Sequence, residues 1–470
     1  MGGGDGGGWG DPLPTSTRTV ALWLRSRLSD LSPSIYIASV LGTQGRRLLV
    51  AIVAGGLLAT SGTAPAPAAH EQPSPGPSGP AAARAAWLPA TGPVFNDPTG
   101  RPAQRRQVVK RVHQAIRHTP AGATIRVATY NVDRSDTADL LLQARARGVA
   151  VQIVVNDNLV NPVIKRLQRR LGRNPSRSSF LVICKAACRN GSRTGNLHMK
   201  VYAFTQSGAA RSVVINSSSN LGRAAANGQW NDAITVYGDD ALFSAWVSVF
   251  DQLKRDRAVA PRYVTYQSDT LRADFQRPAS APGRVLVARS GDPQLRRLRQ
   301  VGCRAPAGYG AGGRSVVRVN MYAWYGARGE RLARELASMR REGCQISVIG
   351  AVISAPVVSI LRKVGIPVRA ADWDWGEKPA TSGEEIVFGS RCYSHLKYVT
   401  VDGLFRGRGT RVVWTGSENW SAPGLSSDEV TFEVHDAAAV RAYDAQWWRM
   451  WRSPRATHRT GSKPTSRPCA

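Results

Sequence analysis

Apolar positions alternate along Thr124 to Tyr130, and the same alternation returns along Val316 to Tyr322. Alternation at period two predicts half-buried strands. Each is followed by a stretch with apolar residues at three- and four-residue steps, Thr137 to Arg147 and about Glu330 to Arg341, which predicts a helix covering a sheet. A glycine ends each helix (Gly148, Gly343) and a second strand follows, Val149 to Val155 and Cys344 to Ile349. Strand, helix and strand in that order predict a parallel βαβ unit.

Both copies continue alike. A variable loop leads to a predicted strand pair, Asn196–Phe204 with Arg211–Ser217 and Ser394–Val401 with Arg411–Thr415. Another strand follows (Ala233–Tyr237; Val430–Val434), then an apolar helix (Ala241–Lys254; Ala437–Trp451). The pattern predicts an α/β fold of two similar halves, each a mixed, largely parallel sheet flanked by helices, with the active site at their interface. The halves are read as 95–256 and 284–452, joined by a polar, Arg-rich connection at 257–283. At 470 residues the chain is long enough for two core-forming units plus tails.

The ends read differently. Arg46 and Arg47 precede an apolar run from Leu48 to Ala59, too short for a stable span, and Ala66 to Ala68 offers a small-residue cleavage site. Residues 1–68 are therefore expected to be a signal peptide with a long leading region, followed by a Pro/Ala-rich linker at 69–94; a basic tail occupies 453–470. A secreted, extracellular protein follows as the expectation. Six cysteines fit an oxidising compartment. Cys184 and Cys188 are close enough to staple a tight loop, while Cys303, Cys344, Cys392 and Cys469 allow three pairings into two further bridges. A zinc site lacks both a C-x2-C pair and a neighbouring histidine at ligand spacing.

Charge adds a partner class. With 63 Lys+Arg against 32 Asp+Glu the chain carries +31, and loss of residues 1–68 leaves 58 against 29, still +29. Such a field favours anionic partners; a compositional bias of the coding sequence, which would also give an excess of Arg and Ala, is the lesser alternative.

The candidate chemistry lies in the hairpins. The first copy holds His198 and Lys200, then Ser218 and Asn220; the second holds His395, Lys397 and Asp402, then Gly416, Ser417 and Asn419. Residues two apart on a strand share a face, so each histidine is expected to point with its lysine. Asp232 and Glu429 each follow their histidine by 34 residues, where a carboxylate can accept a hydrogen bond from an imidazole and fix its tautomer. His113 and His118 sit on an Arg-rich helical stretch and are expected to be solvated. Trp447, Trp448 and Trp451 are expected to pack the last helix on the sheet. The loops 172–195 and 372–385 enter the motif strands and are expected to wall the site, where Trp373 and Trp375 either touch substrate or pack their own loop.

The paired arrangement resembles the H-x-K-x4-D plus G-S-x-N signature of the phospholipase D superfamily over residues 95–452. The second copy matches throughout. The first departs at Thr205, where the aspartate would stand, and at Ser217 for the glycine. Asp402 lies five residues past Lys397, roughly 16 Å along an extended strand, so it is expected to pin the hairpin and not to touch phosphorus. The resemblance implies a phosphodiesterase that works through a phosphohistidine. A neutral imidazole attacks an anionic phosphodiester without charge repulsion, and the second histidine protonates the leaving oxygen. Lys200, Lys397, Asn220, Asn419 and the serines would stabilise the phosphoryl oxygens, so that no metal or other cofactor is expected. By the resemblance His198 attacks and His395 is the acid/base; the residues themselves leave the reverse open. The expected substrate is a phosphatidylcholine-like lipid at a membrane or micelle surface, met by a monomer. A nuclease of the same superfamily and a degenerate basic surface-binding protein are the alternatives.

Overall fold

The computed structural model describes residues 86–189, 195–259, 263–276, 291–373, 392–462 and 468–469. The expected signal peptide and most of the expected linker lie outside the described residues, as does Trp375.

The first βαβ unit forms as the pattern predicts: β2 (Thr124–Thr129), α2 (Ser135–Ala146) and β3 (Ala150–Asn156), with β2 and β3 parallel. Its counterpart is β12 (Val316–Trp324), α5 (Gly326–Arg341) and β13 (Gln345–Ile353), again parallel. Ahead of the first unit lie β1 (Gly92–Phe95) and α1 (Gln107–Arg117); after it come α3 (Pro162–Leu171) and β4 (Phe180–Cys184). The hairpin β5 (Val201–Ser207) and β6 (Ala210–Ser217) follows, then β7 (Gln229–Trp230), β8 (Asp232–Val236) and α4 (Asp240–Leu253). The sheet order is β1-β8-β6-β5-β2-β3-β4.

The segment read as a connection supplies a hairpin to the second sheet, β9 (Tyr263–Gln267) with β10 (Leu271–Gln276). β11 (Val301–Gly302) precedes the second unit; α6 (Ala355–Lys363), β14 (Val368–Ala370) and β15 (Tyr393–Ser394) follow it. Next come β16 (Lys397–Phe405), β17 (Arg408–Gly416), β18 (Glu429–Val434), α7 (Ala437–Arg452) and β19 (His458–Arg459). The order β19-β14-β13-β12-β16-β17-β18-β10-β9 repeats the first sheet, with β10 beside β18 as β1 is beside β8. The fold is thus a duplicated α/β fold with two mixed sheets flanked by helices.

The described residues form one unit, and its cores show why. Helices α1, α2 and α3 bury Val112, Leu141 and Leu167 against the outer face of the first sheet. Leu332, Leu336 and Leu361 of α5 and α6 do the same on the second. Between them a shared core takes Trp246 and Phe250 of α4, Tyr443 and Trp447 of α7, and strand residues of both halves. Trp447 is buried and stacks on Trp451, as expected; Trp448 is 36% exposed. Among the described residues no helix is long and apolar enough to cross a membrane.

The cysteines pair 184–188, 303–344 and 392–469. One expectation needs correction, and one open reading is resolved. His113 is buried, not solvated, because its helix turns it inward onto Thr137, with Nε2 2.7 Å from Oγ1. Of the two roles open to Trp373, packing is the one seen: it is buried against His458 of the C-terminal segment at 4.9 Å.

Candidate active site

The motif histidines do not lie inside strands. Regular pairing begins only at Val201 and at Lys397, because the segments before them spend their backbone groups on the opposite half. His198 and Met199 donate their N–H groups to the carbonyl of Asp428 at 3.0 and 2.8 Å, and Asp428 N donates to Asn196 O at 2.8 Å. In exchange, His395 N donates to Trp230 O at 2.9 Å, beside the short parallel pair of β15 with β7. Each histidine is therefore carried by one half and seated in the other.

The imidazoles are seated the same way. His198 Nδ1 lies 2.7 Å from Glu429 Oε1. His395 Nδ1 lies 2.9 Å from the carbonyl of Ser218 and 3.1 Å from Asn231 Oδ1. Asp232 thus does not orient an imidazole, contrary to expectation. The strand places it on the opposite face from Asn231. There its Oδ2 accepts from Thr415 Oγ1 at 2.5 Å and Tyr443 OH at 2.6 Å, tying the halves together.

Lys200 and Lys397 are buried, and each donates Nζ to the carbonyl of its own histidine. The ammonium of Lys200 is 5.7 Å from the Tyr130 ring, and that of Lys397 is 4.8 Å from the Tyr322 ring. These tyrosines also touch the imidazoles, His198–Tyr130 at 5.9 Å and His395–Tyr322 at 4.5 Å. Sequence reasoning used both tyrosines only as strand residues. Their matching places at the ends of the repeated strands were the available signal.

The serines have another task than the one expected. Ser417 Oγ donates to Glu429 and accepts from Val430 N at 3.0 Å; Ser218 Oγ donates to Asn231 Oδ1 at 3.1 Å and accepts from Asp232 N at 3.0 Å. Both hydroxyls hold the groups that hold the imidazoles. Asn419, His198 and Glu429 line one cleft together with Tyr322, Tyr325 and Pro423, and the buried Asn419 Oδ1 has no protein partner. Asn220 is half-buried, its Oδ1 3.4 Å from Thr129 Oγ1.

Two buried ionic groups brace the motifs. Arg189 Nε lies 2.6 Å from Asp428 Oδ1, both side chains fully buried. Burial pushes the Asp428 carboxyl up, and Arg189 draws it back. Arg328 bonds Asp292 at 2.7 Å, pairs with Glu418, and donates to the carbonyls of Asn419 and Ser421 at 2.9 and 3.0 Å. Burial raises the Glu418 carboxyl against the pull of Arg328.

The departures in the first copy are accommodated. A Cβ on Gly416 would meet Val430 O at 2.0 Å, whereas Ser217 fits and donates Oγ to Asp232 O at 2.5 Å. Thr205 Oγ1 accepts from Thr124 N at 2.8 Å. Asp402 accepts from Gly310 N at 2.9 Å and Arg411 Nε at 3.2 Å. Both therefore pin strand starts and loops near the hairpin, and neither is at the imidazoles. Among the described residues no cluster of three or more His, Cys, Asp or Glu side chains could hold a metal ion.

Two βαβ-hairpin halves that each seat the other's His-x-Lys segment define a two-copy phospholipase D-like fold. The family described as "Cardiolipin synthase, PLD-like domain" matches residues 114–254 and 313–451, more than half of the chain, and the protein belongs to it. Members of this superfamily are typically enzymes acting on phosphodiesters. No curated protein matches the chain.

Among solved structures, similarity extends to polyphosphate kinase from Porphyromonas gingivalis (14% identity, 80% of this chain and 53% of that one, TM-score 0.49). Phosphatidylserine synthase from Haemophilus influenzae Rd KW20 aligns at 12% identity over 79% of this chain and 89% of its own, TM-score 0.48. Nuc, a phospholipase D family member from Salmonella typhimurium, aligns at 19% over 35% and 93%, TM-score 0.25. The chain thus spans about half the length of the polyphosphate kinase.

Proposed function

We propose that this protein is a secreted phosphodiesterase of the phospholipase D type that hydrolyses phosphatidylcholine-like phospholipids, and transfers their phosphatidyl group to alcohols, through a phosphohistidine. The observation that carries this reading is the exchange that seats His198 on Glu429, and His395 on Ser218 and Asn231, each with its buried lysine. His198 Nε2 attacks phosphorus, the leaving oxygen takes a proton from His395, and His395 then takes one from the incoming water or alcohol. Lys200, Lys397 and the two asparagines offset the phosphoryl charge. Tyr322, Ala323, Tyr325 and Pro423 give the cleft an apolar side, which suits a lipid, and the family description names a lipid synthase. The three disulfides suit an oxidising, extracellular setting, and the two copies in one chain suit a monomer.

A nuclease is the second reading, favoured by the +31 charge and by the exposed Lys165, Arg166, Arg169 and Arg170 of α3. Choline release from phosphatidylcholine micelles in EDTA, alongside cleavage of plasmid and single-stranded DNA, decides between them. Choline release lost in His198→Ala and His395→Ala supports the lipid reading. DNA cleavage alone, lost in the same variants and falling steeply with salt, replaces it with the nuclease; inertness toward both favours a basic surface-binding protein.

A further inference from the structure

The two catalytic histidines are held at equivalent positions by chemically different groups. Ser218 N and Ser417 N make the same ladder bond, to Asp232 O at 3.2 Å and to Val430 O at 3.0 Å, so Asn231 occupies the register of Glu429. One imidazole thus rests on a carboxylate, the other on an amide oxygen and a backbone carbonyl.

The surroundings require the amide. Asn231 Nδ2 donates to Gln229 Oε1 at 3.1 Å and to Ala225 O at 3.4 Å, while Gln229 Nε2 donates to Tyr393 OH at 2.5 Å. This orientation turns Asn231 Oδ1 toward Ser218 Oγ and His395 Nδ1. A carboxylate here would set an oxygen against two acceptors inside a fully buried network.

Resting on the phosphodiesterase reading above, we propose that Asn231 is a positioning residue that makes His395 the general acid and leaves His198 the nucleophile. The chemistry follows from where positive charge is stabilised. When His198 Nε2 forms its bond to phosphorus, the imidazole becomes cationic beside the Glu429 carboxylate. The P–O bond to the leaving alcohol breaks, and its oxygen takes the Nε2 proton of His395. The reactive form therefore has His198 neutral and His395 as the imidazolium, its Nδ1–H held by two neutral acceptors; these favour the cation less than a carboxylate does and leave the Nε2 proton of His395 the more acidic of the pair. In the second step water gives a proton to His395 and its oxygen to phosphorus, and the P–N bond breaks.

Each imidazole also has tyrosine and lysine neighbours. His395 faces Tyr322 at 4.5 Å, Tyr393 at 6.0 Å and Lys397 through its own carbonyl. His198 faces Tyr130 at 5.9 Å and Lys200 through its own carbonyl. At Nδ1 the seats differ in charge: His198 meets the Glu429 carboxylate, whereas His395 meets the neutral Asn231 amide and Ser218 carbonyl.

Nitrogen NMR of the full chain with labelled histidine tests this without substrate. His395 is expected to protonate at lower pH than His198. Asn231→Asp should raise the His395 midpoint by about one pH unit or more, and Glu429→Gln should lower that of His198 by a similar amount. Equal midpoints in the wild type, or midpoints indifferent to both substitutions, overturn the proposal. The wild-type and Glu429→Gln titrations keep it testable if Asn231→Asp does not fold. Reaction with phosphorus-labelled phosphatidylcholine, quenched in alkaline denaturant because acid cleaves the P–N bond, should leave the label on His198; label on His395 reverses the roles and overturns the assignment. Expected midpoints with no label on either histidine count against the phospholipid reading alone and uphold the unequal seating of the pair.

Discussion

His198 and Glu429 are 231 positions apart in the chain and 2.7 Å apart at Nδ1 and Oε1. The bond crosses from one half to the other, and so does that of His395 to Asn231. Neither half alone can orient its own imidazole, so the site exists only while the halves stay docked.

In the proposed mechanism the imidazoles perform both transfers, so His198→Ala and His395→Ala should each lower kcat by at least about a thousandfold. Activity should persist in EDTA, since Lys200 and Lys397 supply the positive charge. Kinetics with circular dichroism on each variant check this; a variant that keeps its fold and a tenth of its activity contradicts the two-histidine mechanism.

Arg189 and Asp428 form a fully buried ion pair whose carboxylate belongs to the residue clamping the His198 backbone. Arg189→Met leaves that carboxylate buried without its cation and should cost about 3–5 kcal/mol. Urea unfolding measures the loss, and kcat should fall with it as His198 loses its seat. An unchanged midpoint would show that the pair does not brace the halves.

Burial lowers the pKa of His113 to about 4, with Asp136 opposing the shift. The unfolded chain takes up that proton near pH 6.5 and the folded chain only near 4, so stability is full above 6.5 and falls as pH drops across this window. The loss is up to about 3 kcal/mol. Denaturant midpoints from pH 7 to 4 should fall less steeply in His113→Gln; parallel slopes would place the sensitivity elsewhere.

The bridge from Cys303 to Cys344 closes a loop with a sequence separation of 41. Replacing both cysteines with serine should destabilise the fold by about 3–4 kcal/mol through the entropy returned to the unfolded chain. Calorimetry of the double variant reads this as a lower Tm.

Much of this protein is local pattern. Period-two and period-3.6 apolar spacing determined both βαβ units and their hairpins, because each element must bury one face. The repeat itself marked His198, Lys200, His395 and Lys397 as equivalent. Spacing failed at Asp232, which matches Glu429 in distance from its histidine. From His198 to Ser218 is 20 residues and from His395 to Ser417 is 22, while Ser218 to Asn231 is 13 and Ser417 to Glu429 is 12, so the totals are 33 and 34 and the register moves by one. A shift of one residue turns a strand side chain to the other face, and Asn231 takes the place. The pairing of Cys303, Cys344, Cys392 and Cys469, the inward turn of His113 and the crossed seating of each histidine were decided only in three dimensions. They join residues distant in sequence, and local propensity does not constrain such contacts; docking of the two sheets on a shared core does.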